Sequence, residues 1–198
     1  MNTPQNRTKQ TLKKNRKIAE TGIFLALFLG LAYAFAYIPN LEYITAIAFL
    51  SGLLLGWKRG LFVAIIGEAI FSIANPFGSS LAFPMLLIAQ LISFALIAIT
   101  GASYRSFIPR VIEKKPWLAA FFFGLAGFLL TVCYNVITTI FFTIPSGFTF
   151  EQTIASIVSG IPFYLINMIA NIISFAVILP IVLRYVNKNY PHYLEKNK

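Results

Sequence analysis

Every lysine and arginine of this chain falls into one of four short clusters, separated by long stretches that hold no basic residue. Six bases lie at Arg7, Lys9, Lys13, Lys14, Arg16 and Lys17; two at Lys58 and Arg59; four at Arg105, Arg110, Lys114 and Lys115; and four at Arg184, Lys188, Lys196 and Lys198. Each gap between clusters is apolar and long enough to cross a bilayer and return, which one buried helix of a soluble core could not do. Loops on the cytoplasmic side of membrane proteins carry the excess of Lys and Arg, so all four clusters belong on that side. The alternating links, 39–43, 75–81 and 144–152, are then external, and Glu42 and Glu151 are their only charges. The expected fold class is an all-α integral membrane protein with six transmembrane helices and cytoplasmic N and C termini.

Composition agrees. Hydrophobic residues make up 58% and charged residues 11% of the 198 residues, whereas a soluble domain carries about 25% charged residues. A net charge of +10 would point to nucleic acid in a soluble protein. Here the topology explains it, together with attraction to anionic lipid of the inner leaflet, so no nucleic-acid partner is expected. The length fits one membrane domain, 18–186, between basic tails at 1–17 and 187–198, without a soluble enzyme module. The single Cys133 lies in an apolar stretch, so there is no disulfide framework. The N-terminal basic segment and the apolar run after it resemble a signal peptide, but the run is too long and no small-residue cleavage site follows. It is expected to be a retained first span.

The spans are expected at 18–38, 43–56, 60–74, 81–101, 117–143 and 153–185. The second and third are short for the ~20 residues a bilayer needs, but Lys58 and Arg59 between them argue for a cytoplasmic turn and two thin crossings. Segment 102–116 is basic and partly amphipathic and is expected at the inner interface. The sixth is longer than needed, so it should tilt or bend, with Pro162 and Pro180 as kink points.

Two stripes of small residues are spaced at four. Gly22, Ala26, Gly30 and Ala34 fall along one face of span one, where they let another backbone approach closely. Gly52, Gly56 and Gly60 run off the inner end of span two. Either stripe can serve packing within the bundle; the longer first one can equally dock a separate protein.

Polar side chains at membrane depth are costly and usually face a cavity or a partner. Glu68 lies in the middle of span three, with no Lys or Arg at its depth, so it is either protonated or lines a wet cavity. Gln90 is on span four; Tyr134, Asn135, Thr138 and Thr139 form a patch on span five; Tyr164, Asn167 and Asn171 are on span six. At about 1.5 Å rise per residue, Glu68, Gln90 and Asn135 fall at similar depths, as for one pocket opening outward. The external links Pro39-Asn40-Leu41-Glu42-Tyr43, Asn75-Pro76-Phe77-Gly78-Ser79-Ser80 and 144–152 would cap it. Aromatic walls and amide edges suit a flat heterocycle. With Glu42, Glu68 and Glu151 as the only charges on that side, a neutral or cationic ligand is favoured over an anion. No metal site, cofactor site or catalytic residue is expected: H-E-x-x-H, a Walker loop and paired carboxylates are missing, and His192 lies in the C-terminal tail. Not being able to hydrolyse ATP, the chain would need a partner for active transport.

Six short spans, a small-residue stripe on span one and an outward pocket resemble the substrate-binding S component of energy-coupling factor (ECF) vitamin transporters. The segments that carry the likeness are Pro39-Asn40-Leu41-Glu42 leading into Phe49-Leu50-Ser51-Gly52-Leu53-Leu54-Leu55-Gly56, and Asn75-Pro76-Phe77-Gly78-Ser79. The likeness covers about residues 18–186. It implies a multi-pass subunit of a bacterial plasma membrane, not itself an enzyme, that binds a micronutrient from outside. It also implies partners: a transmembrane coupling subunit with two ATPase subunits. The polar groups at depth and the external links give the expected substrate-binding positions: Asn40, Glu42, Glu68, Asn75, Phe77, Gln90, Tyr134, Asn135, Tyr164 and Asn167. The docking positions are Gly22, Ala26, Gly30 and Ala34. Cobalamin, riboflavin, thiamine, pyridoxine and a queuosine precursor all remain open as ligands. Two readings of other classes also stay open: a ligand-free membrane scaffold and a stand-alone solute facilitator.

Overall fold

A computed structural model describes residues 4–38, 43–106, 108–190 and 193. Within these the chain is helical throughout, without a strand: α1 (Pro4–Phe35), α2 (Ile44–Leu55), α3 (Trp57–Ile73), a 3-10 turn (Ser80–Ala82), α4 (Pro84–Tyr104), α5 (Ile108–Lys114), α6 (Pro116–Thr143), α7 (Phe150–Ile173), a π turn (Ser174–Ile178) and α8 (Leu179–Asn189). Four helical segments are long and apolar enough to cross a membrane: Arg7–Phe35, Pro84–Tyr104, Pro116–Thr143 and Phe150–Asn189. They are compatible with a multi-pass membrane protein. The basic N-terminal segment is not separate from the first apolar run, because α1 is helical from Pro4 onward.

Helix α2 is the axis of the bundle. All twelve of its residues are buried, and it packs on α1, α3 and α4. At about 18 Å it is too short to span alone. Lipid tails are as apolar as leucine, so close packing must hold such a helix in place. Glycine supplies that closeness. A Cβ on Gly52 would stand 1.9 Å from the Ala98 carbonyl oxygen, one on Gly101 2.0 Å from the Phe49 carbonyl oxygen, and one on Gly60 2.4 Å from the Gly52 Cα. The second small-residue stripe is thus internal packing. Phe49 adds an aromatic hub: its ring meets Tyr104 at 5.2 Å, Phe123 at 5.9 Å and Phe175 at 5.1 Å, edge to face in each case, a favoured arrangement for ring pairs. Between α2 and α3 the chain turns on Gly56 (φ +85°), a conformation a side chain would strain.

Helix α4 links the two halves, packing on α2 and α3 on one side and on α6 on the other, while α6 packs on α7. The last long helical segment is irregular where Pro180 demands it. Proline has no N–H, and its ring collides with the carbonyl four residues back. The preceding turn widens to π, with the Leu179 N–H donating to the Ser174 carbonyl. At Pro162 the helix continues without a change of type.

Members of the four basic clusters meet at one end of the bundle. Lys13, Arg16, Lys17, Arg59 and Arg105 line one recess there, and Arg184 and Lys188 line another with Ile112 and Glu113 of α5.

Candidate functional site

Besides Thr45 and Ser51 of α2, buried polar side chains sit in this apolar bundle at three places. The first is Glu68 on α3, 2% exposed, whose Oε1 accepts a hydrogen bond from Ser72 Oγ at 2.7 Å. A serine one turn on can do this because residues four apart share a helix face. Beside Glu68, Gly67 makes room for the Phe28 ring, 2.7 Å from where a Cβ would be. Phe28 in turn meets Phe94 of α4 at 5.6 Å.

The second place is α4. Gln90 Oε1 and Ser93 Oγ are both buried without a hydrogen-bond partner among the described residues.

The third is the α6–α7 interface. These helices are antiparallel: Gly127 abuts the Asn171 backbone and Phe175, and Thr139 Oγ1 lies 2.6 Å from Tyr164 Oη. Between these two contacts the shared face carries Thr131, Asn135 and Asn167, all buried. Asn171 Nδ2 donates to Asn167 Oδ1 at 2.7 Å. Asn171 Oδ1 and Asn135 Nδ2 have no partner among the described residues. An unpaired buried polar group costs about 1–3 kcal/mol, so four such atoms on α4, α6 and α7 are an expensive arrangement for packing alone. The π turn begins three residues after Asn171, and π turns are frequent at functional sites.

Above Asn135, at the end of the bundle away from the basic clusters, a recess of about 310 Å³ is lined by residues including Thr138, Thr139, Phe142, Phe148 and Tyr164. It lies at the small end of the range for ligand pockets, about 300–1,000 Å³. Its rim is set by the α6–α7 link, where Gly147 (φ +85°) turns the chain. Thr149 and Gln152 form a reciprocal cap on α7 there.

The residues expected from sequence therefore divide. Asn135, Asn167 and Tyr164 share the α6–α7 face, with Tyr134 of α6 packed edge to face on Phe94 at 5.8 Å. Gln90 is on the helix between that face and α3. Glu68 is on α3, which packs on α1, α2 and α4. Asn75 is used by its own turn, its Oδ1 accepting from the Phe77 N–H at 2.9 Å. Phe77 is exposed and stacks on Tyr37 at 5.4 Å. Asn40 and Glu42 lie outside the described residues. Ser93, Asn171 and Ser174 were not among the expected ligand contacts; a polar residue in an apolar run is the signal that marks each of them.

The expected docking stripe faces outward. Gly22, Ala26, Gly30 and Ala34 are all exposed, and a Cβ on Gly22 or Gly30 would meet nothing within 4 Å. Helix α1 touches the bundle through its opposite edge, where Phe28 and Ala32 are buried.

At the basic end, Glu20 collects three donors: Arg16 Nε at 2.9 Å, Arg59 Nη1 at 2.8 Å and Tyr193 Oη at 2.7 Å. Burial, and then the bond to Glu20, raise the Tyr193 phenol above its ordinary value, so it stays a donor at neutral pH. This tie between the middle of α1, the first turn of α3 and Tyr193 near the C-terminus was not foreseen from sequence. No family model, curated protein or solved structure matches the chain.

Proposed function

We propose that this chain is the substrate-binding membrane subunit of an ECF-type importer, with six spans and both termini cytoplasmic. In this reading it takes up a vitamin or related micronutrient from outside, at a site formed by α4, α6 and α7 beneath the recess. It then docks through the open face of α1 on a transmembrane coupling subunit that carries two ATPases. The observation that carries the reading is the set of four buried, unpartnered polar atoms on three adjacent helices: Gln90 Oε1, Ser93 Oγ, Asn135 Nδ2 and Asn171 Oδ1. A ligand with several donors and acceptors would satisfy them, and a neutral or cationic heterocycle fits their amide chemistry and the aromatic rim at Phe142 and Phe148. The outward stripe on α1 supports the docking part. Exposed small side chains, with no described residue within 4 Å of a Cβ at Gly22 or Gly30, leave a smooth face for a close helix–helix contact. Helices α2 and α3 would be the thin crossings, with α2 shielded from lipid by its neighbours.

The reading is tested by copurification. The wild-type chain should retain a small molecule and bring down a coupling subunit with an ATPase pair. Retention of a ligand without those partners favours a stand-alone facilitator, and partners without a ligand favour a scaffold.

A further inference from the structure

A further recess of the described chain lies away from these buried polar groups. It lies at the basic end, between α1 and the start of α3, with a volume of about 650 Å³. Its wall changes character along α1. Lys13, Lys14 and Lys17 form the outer part; Ile18, Leu25 and Phe62 form the inner part. The three lysines are exposed, and among the described residues no carboxylate pairs with them. Arg59 also borders the groove, but its guanidinium is held by Glu20 at 2.8 Å and by the Leu55 carbonyl at 3.2 Å. From Ile18 to Leu25 the apolar part runs about 10 Å along the helix axis, within the roughly 15 Å depth of one leaflet.

A positive mouth that continues into an apolar track open along one side has the polarity of a single lipid molecule. We infer that this groove binds one anionic glycerophospholipid of the inner leaflet. Its phosphate sits among Lys13, Lys14 and Lys17, and an acyl chain lies along Ile18, Leu25 and Phe62. A soluble phosphate would use the lysines but gain nothing from the apolar track. A zwitterionic lipid would use the track but carries no net charge for the lysines. The inference needs only the membrane placement of the chain, although the groove shares Gly22 with the docking stripe proposed on α1.

Native mass spectrometry of the full chain, released from detergent, tests it by titrating phosphatidylglycerol against phosphatidylcholine. One phosphatidylglycerol should be retained in preference. The triple variant Lys13→Gln/Lys14→Gln/Lys17→Gln should weaken it about fivefold per lysine, roughly a hundredfold in all. Removing three charges elsewhere at the same end, by Lys114→Gln/Arg184→Gln/Lys188→Gln, should leave it unchanged. Equal losses in the two variants would reduce the effect to diffuse charge and overturn the site. Equal retention of phosphatidylcholine, or displacement by glycerol phosphate as effective as by the whole lipid, would overturn the assignment to an anionic lipid.

Discussion

A carboxyl group buried in an apolar bundle loses its water and takes hydrogen bonds from its neighbours in exchange. Glu68 and Ser72 make such a pair, and Gln90, Ser93, Asn135 and Asn171 add the unpartnered atoms on the neighbouring helices. Side chains of this kind are kept in an apolar bundle when something else meets them. If a cationic ligand reaches Glu68, Glu68→Gln should weaken it by roughly thirtyfold, about 2 kcal/mol, and a neutral ligand by much less. Calorimetric titration of both ligand types on both proteins reads the difference, and equal losses would remove Glu68 from charge recognition. Glu68, Gln90, Asn135 and Asn171 were legible in the sequence because a lone large polar side chain in an apolar run is conspicuous, whereas the small Ser72 and Ser93 were not singled out. Which of them share a face was not legible. Glu68, Gln90 and Asn135 come out at one depth by counting residues, but depth does not say which helices are neighbours. The Tyr193–Glu20 bond was illegible for a related reason: 173 positions separate the partners, and no periodicity links them.

Among the elements, the helices and their approximate ends follow from the basic clusters and the prolines. Pro116 and Pro84 each sit in the first turn of a helix, where the missing N–H costs nothing. The 3.6-residue period does not distinguish the two glycine stripes, yet the fold treats them oppositely, and this gives a paired prediction. Gly52→Ala must push α2 away from the Ala98 carbonyl and should cost about 1–3 kcal/mol or more, seen as a lower melting temperature in detergent. Gly30→Ala meets nothing and should leave the melting temperature unchanged or raise it, since alanine favours helix by about 1 kcal/mol. Equal effects would mean that the α2–α4 contact is looser than described. The irregularity near the C-terminal end was foreseen at Pro180, whose chemistry is local. Its form, a π turn in which the Leu179 N–H reaches the Ser174 carbonyl, could not be read from the chain.

For the whole molecule, one face of α1 is left open while α1, α3 and α4 pack on α2. A bulky residue there should spare the fold and block assembly. Ala26→Trp and Gly30→Leu should each keep ligand affinity and lose copurification with a coupling subunit. Normal transport by both variants would assign that face to lipid instead. The gathering of the basic clusters at one end is the feature of the assembled molecule most directly written in the sequence, because it depends on charge placement alone. The identity of the ligand is the least, because four amide and hydroxyl atoms specify hydrogen-bond complementarity without specifying a ring system.

The central claim is that the polar groups of α4, α6 and α7 hold a small molecule, and mass spectrometry of what the purified protein releases on denaturation addresses it most directly. The account predicts a neutral or cationic heterocycle close to one per chain, reduced when Asn135 is replaced by Leu. Release of lipid alone from wild-type protein and the Asn135→Leu variant alike, with no heterocycle from either, would contradict it.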